Sequence, residues 1–215
     1  MLRGCGGDSF GIIHVCDVKD TSMGKRVAII QGHPDLEQDH LGHSLAEAYA
    51  QAAESAGHEV RYLNVAELDV PPLRSKREWE QTPVPDAVRA AQEVIEWSEH
   101  LLIVHPLWLG SMPAVLKNFL EQVFRPGFAI DAAGHGWRKK LTGRSARVVV
   151  TMGMPAALYR FWFFSHGLRS MVRNVLNFSG ISPVRTTLIG MVDGSRERIS
   201  EHWLPLMRRY GAAAS

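Results

Sequence analysis

The hydrophobic residues of this chain fall into short continuous runs, each followed by apolar residues at helical spacing. The run at 101–104 (LLIV) is typical of a strand that is buried on both faces of a sheet. A turn follows, and Pro113 then stands where the first helical residue belongs. The apolar positions of that helix recur every three or four residues until 125–127 (RPG) ends it. A buried strand that leads through a tight turn into a helix is half of a parallel β-α-β unit.

Strands alternate with helices five times along the chain, and the second strand alternates polar and apolar residues instead of forming a continuous apolar run. The predicted strands lie at 26–31, 58–63, 101–104, 146–151 and 184–192. The predicted helices lie at 45–56, 86–98 and 113–124, in a long segment that ends near Ser179, and at 196–209. Residues 64–75 and 130–143 are predicted to be loops, the second a polar loop of the length that covers active sites. This alternation, without a G-x-G-x-x-G motif, predicts an α/β fold whose five-stranded parallel sheet has the order 2-1-3-4-5 and helices on both faces.

Composition limits the class of protein. With 215 residues and 46% hydrophobic content, the chain can form one domain, expected at 26–215 after an N-terminal arm (1–25) that we expect to be disordered. Both cysteines, Cys5 and Cys16, lie in that arm, so the body has no disulfide framework, as is typical of a cytoplasmic protein. No apolar run is long enough to predict a transmembrane helix. The net charge of +2 is too small to indicate a nucleic-acid partner.

Three predicted turns follow strands one, three and four: 32–44 (GHPDLEQDHLGHS), 105–111 (HPLWLGS) and 151–159 (TMGMPAALY). In a sheet of this order they meet at one edge, where ligands of open α/β sheets bind. The first turn precedes a helix N-terminus, which favours a phosphate group. The second offers Trp108 as a flat wall, together with the backbone N–H groups of residues 107–110, which we expect to be free. Together they predict a site for a planar heteroaromatic ligand that carries a phosphate.

The ten histidines also raise the question of a metal site. His33, His40 and His43 lie in the first turn, and the last two are three residues apart. A structural zinc site needs three or four convergent ligands, and the chain has no H-x-x-x-H pair within such a cluster. We therefore expect no metal.

The order of GHP, HPLWLGSMPAVLKNFLEQVFRPGFA and VTMGMPAALY resembles the flavodoxin-like NAD(P)H:quinone oxidoreductases. That family includes DT-diaphorase, the modulators of drug activity and the ancillary oxidoreductases of potassium-efflux systems. The resemblance runs from about Arg26 to Val192, and the central string is its most specific part. It implies a flavodoxin-like fold that binds FMN, with FAD as the alternative, and uses NAD(P)H as co-substrate.

The resemblance also implies roles for individual residues. The phosphate turn of the family matches His33, His40, Leu41 and Gly42. The turn that lies against the flavin ring matches Pro106, Leu107, Trp108 and Leu109. The segment at the pyrimidine end of the ring matches Thr151, Met152 and Gly153. Tyr159, with His166 as a second candidate, would stabilise the negative charge that grows on the N1/O2 side of the ring during reduction.

The activity expected from this resemblance is transfer of two electrons, as hydride, from NAD(P)H to a quinone or a similar small acceptor. The family also implies a homodimer, in which the aromatic run 161–164 (FWFF) would be buried. Two alternatives stay open at this point. One is a flavodoxin-type electron carrier, although such carriers are usually acidic. The other is a flavin-binding redox regulatory subunit of a potassium-efflux system, which would have a membrane partner.

Overall fold

The computed structural model describes residues 24–36, 40–133, 136–194 and 196–215. Most of the expected N-terminal arm, residues 1–23, lies outside the described residues together with both cysteines. None of the helices in the described ranges is long and apolar enough to cross a membrane.

A five-stranded parallel sheet forms the centre of the molecule. Its strands are β1 (Arg26–Gln31), β2 (Glu59–Asn64), β3 (His100–Pro106), β6 (Ser145–Thr151) and β7 (Val184–Ile189). Their spatial order is β2-β1-β3-β6-β7, and every neighbouring pair is parallel. Counting only the strands of this sheet, the order is 2-1-3-4-5, so the predicted fold class and topology are confirmed.

Helices cover both faces of the sheet. They are α1 (Leu41–Ser55), α2 (Lys76–Gln81), α3 (Asp86–Trp97), α4 (Ala114–Val123), α5 (Ala156–Phe161), α6 (His166–Ser170), α7 (Asn177–Ser179) and α8 (Arg196–Ala212). A 3-10 turn covers Val65–Glu67, and a π-helical segment, Met171–Leu176, joins α6 to α7.

The three central strands, β1, β3 and β6, are buried on both faces because they contribute alternate residues to two cores. Ala28 and Ile103 belong to the core that packs under α3 to α7. Ile29 and Leu102 belong to the core under α1 and α8. All four side chains are fully buried, which explains why the strands read as continuous apolar runs.

Two predicted segments differ from the structure. The predicted loop 130–143 contains an antiparallel hairpin, β4 (Ile130–Ala133) and β5 (Gly136–Lys139). Asp131 and Arg138 are directly opposite each other in it and form an ion pair at 2.9 Å. Strands of four residues are too short to give a recognisable alternation in the sequence. The other predicted loop, 64–75, contains the 3-10 turn Val65–Glu67, which follows β2 directly.

The third difference is the predicted long helix that ends near Ser179. It is interrupted after α5, where Phe164 and Ser165 both have left-handed backbone angles (φ 51° and 50°). The N–H of Ser165 turns back to the carbonyl of Tyr159 at 3.1 Å, and the chain then starts α6 in a new direction. Neither residue is a glycine, so the sequence contains no signal for this left-handed turn.

Candidate functional site

The three predicted turns meet at the carboxyl edge of the sheet. After β1, the N–H of Gly32 donates to the carbonyl of Val104 at 2.8 Å. The N–H of Leu107, just after β3, donates to the carbonyl of Thr151 at 2.7 Å. The ring centroid of His33 lies 6.3 Å from that of Trp108. The first turn therefore contacts the second, and the second contacts the third.

The first turn is fixed by a buried glutamine at the end of β1. The side-chain amide of Gln31 donates to the carbonyl of Gly42 at 3.1 Å, and its Oε1 accepts the N–H of His33 at 3.2 Å. Gln31 is 4% exposed and thus joins the start of the turn to the first turn of α1. Sequence reasoning missed this residue, because a single polar position at the end of an apolar strand carries no specific signal.

His33 and His40 stack on each other in this turn, with ring centroids 3.9 Å apart. The Nε2 atom of His40 lies 2.9 Å from Oδ2 of Asp35. The pKa of His33 is lowered by burial first and by His40 second, so His33 is neutral near pH 7. Nδ1 of His33 lies 3.1 Å from the backbone nitrogen and 3.3 Å from the carbonyl oxygen of Asp35, so this ring nitrogen is held by the Asp35 backbone. Within the described ranges, no group of three His, Cys, Asp or Glu is arranged to hold a metal ion.

Helix α1 begins directly after His40, whose side chain does not cap it. The N–H groups of Leu41 and Gly42 have no acceptor among the described residues. The first turn of α1 contains no acidic residue. Free N–H groups at the positive end of the helix dipole are the usual place for a phosphate.

The second turn is a tight reversal. Trp108 and Ser111 exchange two backbone hydrogen bonds of 2.9 and 3.0 Å, and Leu109 and Gly110 between them have positive φ angles of 48° and 79°. Two of the four N–H groups predicted to be free, those of Leu107 and Trp108, are therefore used within the protein, and that part of the prediction is wrong. The N–H groups of Leu109 and Gly110 have no acceptor in the described part of the chain.

Side chains of the second turn are well placed to meet a ligand. The Trp108 side chain is half-exposed and the Leu109 side chain is fully exposed, whereas Pro106 ends β3. His105, one residue earlier, is buried, and its Nδ1–H donates to the carbonyl of Pro106 at 2.9 Å. Burial lowers the pKa of His105 to about 4. The turn thus presents an aromatic and an aliphatic surface above a neutral, buried imidazole.

The third turn is bonded to the loop that follows β7. The N–H of Met152 donates to the carbonyl of Ile189 at 2.8 Å, and the Met152 carbonyl accepts the N–H of Val192 at 3.2 Å. The side chains of Thr151 and Met152 are buried, so Met152 contributes to the core rather than to an open surface. Gly153 is exposed, but a Cβ there would overlap Oδ2 of Asp193. A side chain at this position would therefore require the exposed Asp193 carboxylate to move.

Tyr159 lies behind the second turn. Its side chain is 1% exposed, and its hydroxyl lies 3.4 Å from the carbonyl of Gly110 and accepts the N–H of Leu168 at 3.3 Å. Burial raises the pKa of Tyr159, and the Leu168 hydrogen bond partly opposes this. His166 is exposed at the start of α6 and lies beside Phe164, with ring centroids 5.9 Å apart. The Tyr159 hydroxyl is thus held between two backbone groups, whereas the His166 imidazole is accessible from solvent.

Gly167 was also missed by sequence reasoning. A Cβ at this position would lie 2.5 Å from the carbonyl oxygen of Gly110 and 2.7 Å from the Cα of Ser111. The start of α6 therefore packs directly against the backbone of the second turn. The sequence gives no sign of this contact, because the two segments are more than fifty residues apart.

These features fit a flavin mononucleotide in chemical terms. Unbonded N–H groups at the start of α1 suit its phosphate, and the open Trp108 and Leu109 suit the flat face of its ring. The unbonded N–H groups of Leu109 and Gly110 would serve as donors to the polar atoms at the ring edge. The predicted site residues of the first two turns thus meet in one place, whereas Met152 and Tyr159 support it from behind.

A family model described as "Flavodoxin-like fold" matches residues 25–204. Among curated relatives, an uncharacterized NAD(P)H oxidoreductase of Haemophilus influenzae is 24% identical over 166 residues, which are 75% of this chain and 82% of the relative. The potassium-efflux ancillary protein KefG of Yersinia enterocolitica is 45% identical over 64 residues. That alignment spans only 29% of this chain and 33% of KefG.

Two solved structures share the fold. The NAD(P)H:quinone oxidoreductase of Methanothermobacter marburgensis superimposes with a TM-score of 0.75 at 22% identity, over 89% of this chain and 100% of that chain. An FMN-dependent NADH-azoreductase of Bacillus anthracis, solved in complex with FMN, gives 0.72 at 12% identity, over 88% and 98%. With a family model that matches most of its length and with this strand order, the chain belongs to the family of proteins with a flavodoxin-like fold.

Proposed function

We propose that this protein is an FMN-dependent NAD(P)H oxidoreductase that reduces quinones or similar small acceptors. The observation that carries the proposal is the contact between the three turns at the carboxyl edge of the sheet, joined by the Leu107–Thr151 hydrogen bond and the His33–Trp108 ring contact. The names of the Haemophilus and Methanothermobacter proteins support NAD(P)H and a quinone, and the Bacillus structure supports FMN.

In this proposal the chain binds and orients the cofactor. The N–H groups of Leu41 and Gly42 and the His33–His40 pair would hold the phosphate, and the second turn would lie along the ring. Thr151 and Gly153 would bind its pyrimidine end. A flavin bound there would supply the two-electron, hydride-type redox chemistry that links the nicotinamide to the acceptor.

Tyr159 and His166 would take different roles, because the first side chain is already hydrogen-bonded within the protein and the second is exposed. Tyr159 already bonds two backbone groups, so its hydroxyl would act on the ring mainly by holding the Gly110 end of the second turn in place. His166 is exposed and free to approach a ligand at the surface. We therefore assign Tyr159 as a positioning residue and His166 as the candidate for direct stabilisation of negative charge.

Two measurements test the proposal. The purified protein is heated, and the released small molecule is identified by mass, which also distinguishes FMN from FAD. Steady-state oxidation of NADH and NADPH is then followed with and without a soluble quinone. We expect FMN and quinone-dependent turnover. A protein that takes up neither FMN nor FAD on titration would refute the proposal.

The match to KefG favours one second candidate, a flavin-binding ancillary subunit of a potassium-efflux system. In that case flavin would bind at the same edge of the sheet, and the protein would associate with a membrane partner. Slow quinone turnover, combined with retention of the FMN-loaded protein by membranes that contain such a transporter, would support this candidate over the enzyme.

A further inference from the structure

The charges of this chain are unevenly distributed. Residues 132–192 contain nine Lys and Arg and no Asp or Glu, although the whole chain has 22 acidic residues and a net charge of only +2. This segment supplies β6, α5, α6, the π-helical segment and β7. One border of the sheet, including the edge strand β7, is therefore built from a stretch that has no acid to neutralise its arginines.

Three of these arginines line one cleft. The cleft has a volume of about 570 Å³ and lies between α5, the helix that starts with α6, and β7. Arg160 comes from α5, Arg169 from α6 and Arg173 from the π-helical segment. No carboxylate of the described residues pairs with any of them, and Arg160 only lies over the Phe161 ring, 5.8 Å from its centroid.

The rest of the cleft is largely apolar. Phe161, Leu168, Val172 and Leu188 contribute hydrophobic walls, and Ser165 and Thr186 add two hydroxyl groups. The volume is in the range of pockets for small molecules, about 300–1,000 Å³. An apolar floor with cations on its rim fits a ligand that has a hydrophobic body and an anionic group.

The clustering of three arginines in one cleft is electrostatically unfavourable in the absence of a bound anion. Arg169 and Arg173 are four residues apart on one helix, so their like charges repel each other. Guanidinium groups bind phosphate with two parallel hydrogen bonds, and such charge-assisted bonds are stronger than neutral ones. A dianion in the cleft would remove the repulsion and use the donors that lack partners.

We infer that this cleft is a binding site for an organic phosphate monoester with an apolar group, separate from the flavin edge of the sheet. The cleft shares Ala156 and Ala157 with the end of the third turn, but it is lined by none of the residues assigned to the flavin. Binding at this cleft therefore does not depend on the proposed oxidoreductase activity, and it can be tested by a binding measurement alone.

The test uses the full chain and isothermal titration calorimetry with n-octyl phosphate at low ionic strength. We expect one site per chain, bound at least about tenfold more tightly than either 1-octanol or inorganic phosphate, because both parts of the ligand contribute. Excess FMN should leave the binding unchanged. Displacement by FMN, or equal binding of inorganic phosphate, would overturn the inference.

A matched pair of variants locates the site. Arg169→Gln/Arg173→Gln should weaken octyl phosphate binding by about tenfold or more, since charged hydrogen bonds are lost. Arg208→Gln/Arg209→Gln removes the same charge from α8, on the opposite face of the sheet, and should change the affinity less than about twofold. If the first double variant does not fold, judged by circular dichroism, Arg160→Gln replaces it and should also weaken binding. Wild-type affinity in the cleft variants, or equal loss in both pairs, would show that no specific site exists there.

Discussion

The hydroxyl oxygen of Tyr159 lies 3.4 Å from the carbonyl oxygen of Gly110, so the helix after β6 is attached to the turn after β3. The same hydroxyl accepts the N–H of Leu168, and Gly167 packs against Gly110 and Ser111. Three separate segments are thus held together around the turn that carries Trp108. The position of the proposed ring-binding turn is set from behind, by residues that need not touch a ligand.

Tyr159→Phe tests this attachment. The substitution leaves the buried N–H of Leu168 without an acceptor, so we expect the free energy of unfolding to fall by about 1–3 kcal/mol. Urea denaturation measures this change. Tyr62→Phe is the control: Tyr62 is a half-exposed residue whose hydroxyl donates to the Ala46 carbonyl outside the site, and the loss of that bond should cost less. In stopped-flow measurements, the bound flavin of Tyr159→Phe should be reduced by NAD(P)H about tenfold more slowly than that of the wild type. If the variant is as stable as the wild type but is still reduced slowly, the Tyr159 hydroxyl acts directly on the flavin ring and not through the second turn.

Gly167→Ala should displace the second turn. The added methyl group would lie 2.5 Å from the Gly110 carbonyl oxygen, and neither backbone can yield easily. We expect a loss of about 1–3 kcal/mol in unfolding free energy and weaker flavin binding by fluorescence titration. Gly136→Ala adds the same group in open space and should change neither. Equal flavin affinity in Gly167→Ala and the wild type would show that the turn can move without affecting the site.

The buried histidines predict a loss of stability in acid. Burial lowers the folded-state pKa of His100 to about 3 and of His105 to about 4, both below the ordinary 6.5. Well above pH 6.5 both are neutral whether or not the chain is folded. As the pH falls below 6.5, only the unfolded chain gains protons, so stability declines until the folded pKa is reached. From pH 7 to pH 5 each should cost about 2 kcal/mol.

Urea denaturation of His105→Leu at pH 7 and pH 5 tests whether the loss of stability in acid comes from the buried histidines. The variant should lose about 2 kcal/mol less than the wild type on going from pH 7 to pH 5, because one titrating group is gone. His202→Gln, at an exposed position of α8, should behave like the wild type. An unchanged pH dependence in His105→Leu would mean that His105 is protonated at similar pH in the folded and unfolded chains.

The exposed aromatic run predicts self-association. Phe161 and Trp162 are 71% and 75% exposed, and Phe163 and Phe164 beside them are also open. Such a surface is large for a monomer, and burial between two copies would remove it from water. Trp162→Asp should therefore convert a dimer into a monomer in light scattering at micromolar concentration. Trp137→Asp, which changes an exposed tryptophan on β5, should leave the mass unchanged. A monomeric wild type would contradict the prediction.

The three central strands were predictable because burial on both faces leaves a direct trace in the sequence. Runs such as 101–104 can satisfy two cores only as strands, and the alternation with helices then restricts the topology. The meeting of the three turns followed from that topology.

The parts that could not be predicted depend on contacts between distant segments. Gln31 is important because its amide reaches Gly42, and Gly167 because it touches Gly110. The N–H groups of Leu107 and Trp108 are used because Thr151 and Ser111 lie opposite them. The left-handed angles at Phe164 and Ser165 are likewise imposed by packing, since local preference disfavours them.

Because the third turn is bonded to the loop after β7, a chain that is long enough to form the whole sheet is still too short to complete the third turn. The last strand of the sheet ends at Ile189, so all five strands are present in a fragment that stops there. The third turn, however, also needs Val192 as a donor to Met152 and Asp193 beside Gly153. A fragment that ended at Ile189 would thus contain every strand of the sheet, but it would lack the Val192 donor of the third turn and also α8, which covers the core behind α1.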